Sequence, residues 1–254
     1  MRPRHSRGGG GFGSGQLRVP TLIAVLIGLT IVVSIGSALA MHAGFPIGAW
    51  LVHSGERVWA GQLWRLVTWI FVESDPISLL FGVLCIWWFC PDLHAIFGWK
   101  RFLLVYLGLG IAGAATACLV GKLWPPALDA VHTGNWAVID ALIIMWALRF
   151  PDREIQLYFV IPVRGRLLVW ITLAGTACYA AYYGLSLFIP HFAAEAIVLA
   201  SGIDFRRQWL KLRQQKLKRQ MRRYVDNVRR IDGQDDDDDD DTEPPAQPPR
   251  KWVN

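Results

Sequence analysis

The chain has 254 residues, 53% of them hydrophobic, with 13 tryptophans and a formal net charge of +6. That is too apolar for an ordinary soluble domain. The apolar residues also come in long blocks separated by charged ones, which points to a helical membrane protein.

Residues 1–20 carry the run "GGGGFGSG" at 8–15 and read as a disordered cytoplasmic leader. Thr21–Met41 follows with 21 uncharged residues, long enough to cross a hydrocarbon core of roughly 30 Å as a helix. Ala38-Leu39-Ala40 resembles a signal-peptide cleavage site. The apolar run exceeds the roughly 7–15 residues of a signal h-region, which favours an uncleaved anchor. Phe45–Arg65 reads as a loop on the far side, with Trp50, Trp59 and Trp64 suited to the membrane–water boundary. Five further blocks follow: Pro76–Leu93, Arg101–Leu123, Thr133–Phe150, Leu167–Ile189 and a shorter His191–Ile203.

Six spans place both termini on one side. If that side is the cytoplasm, the inner segments hold 23 of the 26 Lys and Arg residues, leaving only Arg57, Arg65 and Lys122 outside. This is the asymmetry the positive-inside rule expects. The expected setting is a bacterial inner membrane. Cys85, Cys90, Cys118 and Cys178 all fall inside spans with no CxxC or zinc spacing, so they read as packing residues, with no metal or cofactor expected.

Past the sixth block, residues 205–232 read as a basic amphipathic cytoplasmic helix. Phe205, Trp209 and Leu212, then Leu217, Met221, Tyr224, Val228 and Ile231, recur at helical spacing with one slip of five. The remaining positions are mostly Arg, Lys and Gln, which suits an anionic lipid surface. A short coiled coil fits less well because of the slip, and no motif supports nucleic-acid binding. Residues 233–254 carry the Asp235–Asp241 run and a proline-rich end, and read as a disordered tail.

One stretch is more specific than hydropathy. Gly61, Trp64-Arg65-Leu66, Thr68, Phe71 and Leu79-Leu80-Phe81 are followed by Pro91, Leu93, Phe97-Gly98, Arg101-Phe102 and Tyr106. In that order, and with Phe150-Pro151 and "VIPVRGRLL" at 160–168, they resemble the rhomboid family of intramembrane serine proteases. The Trp64-Arg65 pair in the first loop is the family's hallmark. The resemblance covers roughly residues 20–204. It implies an all-α membrane domain over 21–204, a rhomboid-like bundle of six transmembrane helices.

The resemblance also implies a site. In a rhomboid, the Ser of a Gly-x-Ser-Gly motif opens the fourth span, a His on the sixth is its base, and polar residues early in the second help form the oxyanion hole. Carried over residue by residue, the nucleophile position is Asn135, within Thr133-Gly134-Asn135-Trp136. The base position is His191, with family glycines falling on Ala194, Val198 and Gly202. The oxyanion positions are Ser78 and Gly82. An earlier family His falls on Glu73, and an acidic position falls on His94.

The scaffold therefore matches and the chemistry departs from it. An amide cannot replace a hydroxyl nucleophile, Gly82 has no side chain to donate, Trp136 adds bulk at the entrance, and Val198 is expected to loosen packing between spans four and six. Thr133 is the nearest hydroxyl but sits two residues early. Asp140 and Glu195 are ionisable groups inside spans, which ordinarily carry function or hydrogen-bond neighbouring helices. With His191 bonded to Asn135 or water, Asn135, Asp140, His191 and Glu195 are expected to form one polar column.

These residues read as a rhomboid-like protein without proteolytic activity that binds transmembrane client proteins. Two alternatives stand beside it. One is an active rhomboid serine endopeptidase with a displaced nucleophile. The other is a proton or small-solute pathway through Asp140 and Glu195. No HExxH, GxGD, P-loop or dinucleotide motif is present.

Overall fold

A computed structural model describes residues 19–157 and 161–201, with Met221 alone beyond them. Most of the leader, the basic segment 205–232 and the acidic tail 233–254 lie outside the described residues. The first long helix, α1, is Thr21–His42. A loop follows with α2 (Ile47–Leu51), β1 (His53–Ser54), α3 (Gly55–Trp59), α4 (Arg65–Thr68) and a 3-10 turn, Trp69–Phe71. Then come α5 (Pro76–Phe97), α6 (Trp99–Gly121), α7 (Pro125–Asp129), β2 (Val131–His132) and α8 (Trp136–Arg149). The described elements finish with β3 (Glu154–Leu157), β4 (Ile161–Arg164), α9 (Gly165–Tyr183) and α10 (Leu185–Ser201).

Three helices among the described residues, α1, α5 and α6, are long and apolar enough to cross a membrane. With 14 residues, α8 rises only about 21 Å. Two expected blocks shift. The fifth apolar block was expected to run to Ile189, but the helix breaks at Gly184, so α10 begins six residues before His191. The fourth begins at Trp136, leaving the 132–135 knot ahead of the helix as non-helical chain.

The central helix is α8. Val138, Ala141, Leu142, Ile144 and Ala147 are at most 1% exposed and point to different sides of the helix. A helix apolar all round is stable only when surrounded. Here α5, α6 and α9 pack against it. Each of its residues is therefore placed by neighbours on several sides, which fixes the position of its N-terminal end. Val198, expected to loosen this region, is buried in the same core as Ala194.

The 43–75 loop is built around Arg65, fully buried despite its charge. Its Nε donates to Gln62 Oε1 at 2.6 Å, and its Nη1 donates to the carbonyl of Ala49 at 2.8 Å and to that of Val52. Trp64 Nε1 donates to Trp50 O at 3.1 Å and Thr68 Oγ1 to Leu51 O at 2.6 Å. Arg65 thus holds two loop carbonyls with one nitrogen and the Gln62 amide with another, which explains why an arginine stands beside Trp64.

At the opposite end, β3 and β4 pair antiparallel, with Glu154 opposite Arg164. Asp92 on α5 accepts from both Trp146 Nε1 (2.9 Å) and Arg153 (2.6 Å). These contacts tie α5, α8 and the segment after α8 together. The pairing of β3 with β4 has no counterpart in the hydropathy pattern.

Candidate functional site

The mouth of the bundle lies where α8 begins. Gly134 and Asn135 lead into the helix, and Gly134 takes φ +86°, a conformation that favours glycine. A second constraint acts there. A Cβ on residue 134 would stand 2.6 Å from Glu73 Oε2. The Glu73 carboxylate is packed directly against this turn and accepts the Asn135 main-chain N–H at 2.8 Å. An acid at a helix N-terminus is favoured by its free N–H groups. Burial pushes the Glu73 carboxyl up, while the Asn135 N–H stabilises its anion.

Asn135 itself is 0% exposed. It precedes the first turn of α8, but its side chain caps no N–H. Its amide points toward α5 instead. A Cβ on Gly82 would lie 3.0 Å from Asn135 Oδ1. The Asn135 side chain thus occupies the space that a side chain at 82 would need. The oxyanion position at residue 82 carries no side chain of its own. Neither Oδ1 nor Nδ2 has a hydrogen-bond partner, and nor does the buried Tyr106 hydroxyl. The Tyr106 hydroxyl and the Asn135 amide interact, but without ordinary hydrogen-bond geometry.

Ser78 is turned away from this mouth. Its Oγ donates to Asp75 Oδ2 at 2.6 Å, and its N–H, with that of Ile77, donates to Asp75 Oδ1. Asp75 and Ser78 thereby cap α5. Thr133 lies in the segment ahead of α8, outside any helix.

His191 does not meet Asn135, contrary to the expected single column. Its partner is Asp140, with Nδ1 2.9 Å from Oδ2, and the two side chains are 16% and 17% exposed. Glu195 lies one turn along α10 and interacts with both. Thr176 on α9 donates to Glu195 Oε1 at 2.7 Å, while Oε2 has no partner. The structure therefore gathers Asp140, His191 and Glu195, and adds Thr176. No side-chain hydrogen bond joins Asn135 to any of them.

The hydropathy pattern also missed a buried pair of imidazoles. β1 and β2 pair antiparallel with His53 opposite His132, and their Nδ1 atoms lie 2.9 Å apart. His132 Nε2 lies 3.2 Å from the Ser186 carbonyl, and His53 Nε2 lies 3.3 Å from Cys118 Sγ. The carbonyl can only accept, so His132 Nε2 carries a proton and its Nδ1 accepts from His53 Nδ1–H. His53 Nε2 then accepts from the Cys118 thiol. Trp69 packs about equally close to both rings, at 6.2 Å and 6.3 Å. Burial holds both rings well below the usual histidine range. His53 is lowered to about 3, with His132 as a second cause, and His132 to about 4. This pair ties the 43–75 loop to the segment entering α8, and through Ser186 to α10. His132 was visible in the polar knot; His53 carried no motif, and only the pairing of two-residue strands identifies it.

Among the described residues, no group of three or more His, Cys, Asp or Glu side chains could hold a metal ion. Residues 60–198, more than half of the chain, match the Rhomboid domain family. The chain is also 40% identical over 82 residues to a Bacillus subtilis (strain 168) protein named "Putative rhomboid protease YdcA". That match covers 32% of this chain and 39% of the relative.

Proposed function

The chain belongs to the rhomboid family, and from that premise we propose that it works without proteolysis, binding transmembrane client helices within the bilayer. On this reading the domain crosses a bacterial inner membrane six times with both termini in the cytoplasm. The basic segment 205–232 then contacts anionic lipid on that side.

The observation that carries the reading is the bond from the Asn135 N–H to Glu73 at 2.8 Å. Acyl transfer needs a nucleophile, a base within reach of it, and donors aimed at the developing oxyanion. The main-chain N–H at the nucleophile residue is a natural donor of that kind. Here a carboxylate already occupies it. The nucleophile position holds an amide, Gly82 offers no donor, and Ser78 is committed to Asp75. His191 bonds Asp140 through Nδ1, which leaves Nε2 free, but the nucleophile position offers that nitrogen no hydroxyl to deprotonate. The nucleophile and the oxyanion donors are thus each missing for a separate reason, so no single replacement supplies the chemistry. What is left is a membrane domain whose helices can still pack against a guest helix.

The test is photocrosslinking in native membranes from a photoreactive residue at position 136, beside the filled mouth. Capture of intact membrane proteins through their transmembrane segments is expected. Capture of fragments cut within such a segment would contradict the reading.

A further inference from the structure

On the α9–α10 side of the mouth, a row of aromatic rings ends at an acid. Tyr182 and Tyr183 meet edge to face with centroids 4.9 Å apart, and Tyr183 stacks on Tyr179 at 5.9 Å. Tyr179 meets Phe188 at 6.4 Å across the turn at Gly184, and Phe188 meets the His191 ring at 4.9 Å. His191 then bonds Asp140. The three tyrosines are 59–81% exposed, so their faces are open along this row.

Exposed tyrosines near a helix end are ordinary at a membrane boundary. Their continuity with an acid cluster is not. His191 bonds Asp140, Thr176 bonds Glu195, and no Lys or Arg among the described residues forms an ion pair with either acid. The arginine pairs in the described residues belong to Asp92, Glu154 and Asp152. Glu195 is 1% exposed and its Oε2 has no partner at all. Carboxylates at membrane depth without a cation are costly. Asp140 and the open π faces thus lie side by side, with the His191 imidazole but no Lys or Arg beside the acid among the described residues. Ring faces attract cations within about 6 Å of the centroid.

We infer that this row and Asp140 receive a Lys or Arg side chain of a client transmembrane helix, one placed near the end of that helix that lies at the mouth. The inference rests on the client-binding reading and specifies which clients it selects. The long stem of such a residue lies along the Tyr179 and Phe188 rings while its charged head reaches Asp140.

The test uses the full chain in phosphatidylglycerol vesicles with labelled polyleucine transmembrane peptides. These carry Lys, Leu or Glu at one position near one end, and binding is followed by energy transfer. The Lys peptide is expected to bind at least about tenfold more tightly than the Leu peptide, and the Glu peptide more weakly than either. Asp140→Asn should bring Lys and Leu within about twofold, with an unchanged thermal midpoint in detergent as the check on folding. If Asp140→Asn does not fold, Tyr179→Leu with Tyr183→Leu, at exposed positions, should reduce the Lys preference by about threefold. Equal binding of Lys and Leu peptides would overturn the inference and leave client binding standing. So would a Lys preference that survives these substitutions, or one that vanishes in phosphatidylcholine, which would assign the row to lipid headgroups. Absence of binding by every peptide would overturn the client-binding reading itself.

Discussion

Two polar sites lie five residues apart along α8 and differ in what they leave open. At Asn135 the structure closes on itself: Glu73 takes the main-chain N–H, the side-chain amide fills the space at Gly82, and nothing reaches in from outside. At Asp140 the acid and its His191 partner are partly exposed, and no Lys or Arg among the described residues pairs with the acid. On the proposed reading, that difference separates a capacity lost from one kept. Proteolysis depends on several donors converging on one atom, so plugging that point would stop it. Holding a helix depends on an extended face, which a plug at Asn135 would leave in place.

The comparison breaks most sharply at Gly134. Gly134→Ala forces a side chain into a positive-φ turn and to within 2.6 Å of Glu73 Oε2. We expect a loss of about 3 kcal/mol or more in unfolding free energy, measured by denaturation in mild detergent. A loss under about 1 kcal/mol would mean that Glu73 is not fixed against this turn.

Acid acts on the loop that holds the mouth. In the unfolded chain both His53 and His132 take up a proton near pH 6.5, whereas in the fold they remain neutral down to about 3 and about 4. Between those limits the unfolded chain binds more protons, so stability is full above pH 6.5 and falls as the pH drops. Each ring contributes at most about 1.4 kcal/mol per pH unit. Thermal midpoints from pH 7.5 to 4.5 should fall, and His53→Phe should flatten that fall.

Asn135→Ala has a smaller effect. It removes two buried polar atoms that lack hydrogen-bond geometry but also takes away the amide that the buried Tyr106 hydroxyl meets. Stability should fall by no more than about 1 kcal/mol, against the larger loss usual for a buried truncation. Asn135→Ser sharpens the comparison with the smallest expected change. It restores a hydroxyl but leaves the N–H on Glu73 and residue 82 bare, so cleavage of a transmembrane substrate should stay at background.

The membrane character of α1, α5 and α6 was legible because long uncharged runs admit few other structures. The Trp64-Arg65 pair marked the loop, and register along α8 located Asn135. What escaped the sequence has physical reasons. The apolar residues continue on both sides of Gly184, so hydropathy could not see the break between α9 and α10. His53 and His132 meet through two-residue strands 79 positions apart, too short for any periodicity. Asp140 as the partner of His191, and Glu73 as the partner of Asn135, depend on which faces of the helices meet. A family alignment of positions does not supply that when the side chains at those positions have changed.

The central claim is that the mouth at Asn135 carries no serine-protease chemistry. Fluorophosphonate labelling of the purified, liposome-reconstituted chain, read beside cleavage of a transmembrane substrate, tests it most directly. The account predicts neither labelling nor cleavage. Labelling that disappears when one particular hydroxyl residue is replaced, together with cleavage lost in the same variant, would contradict it.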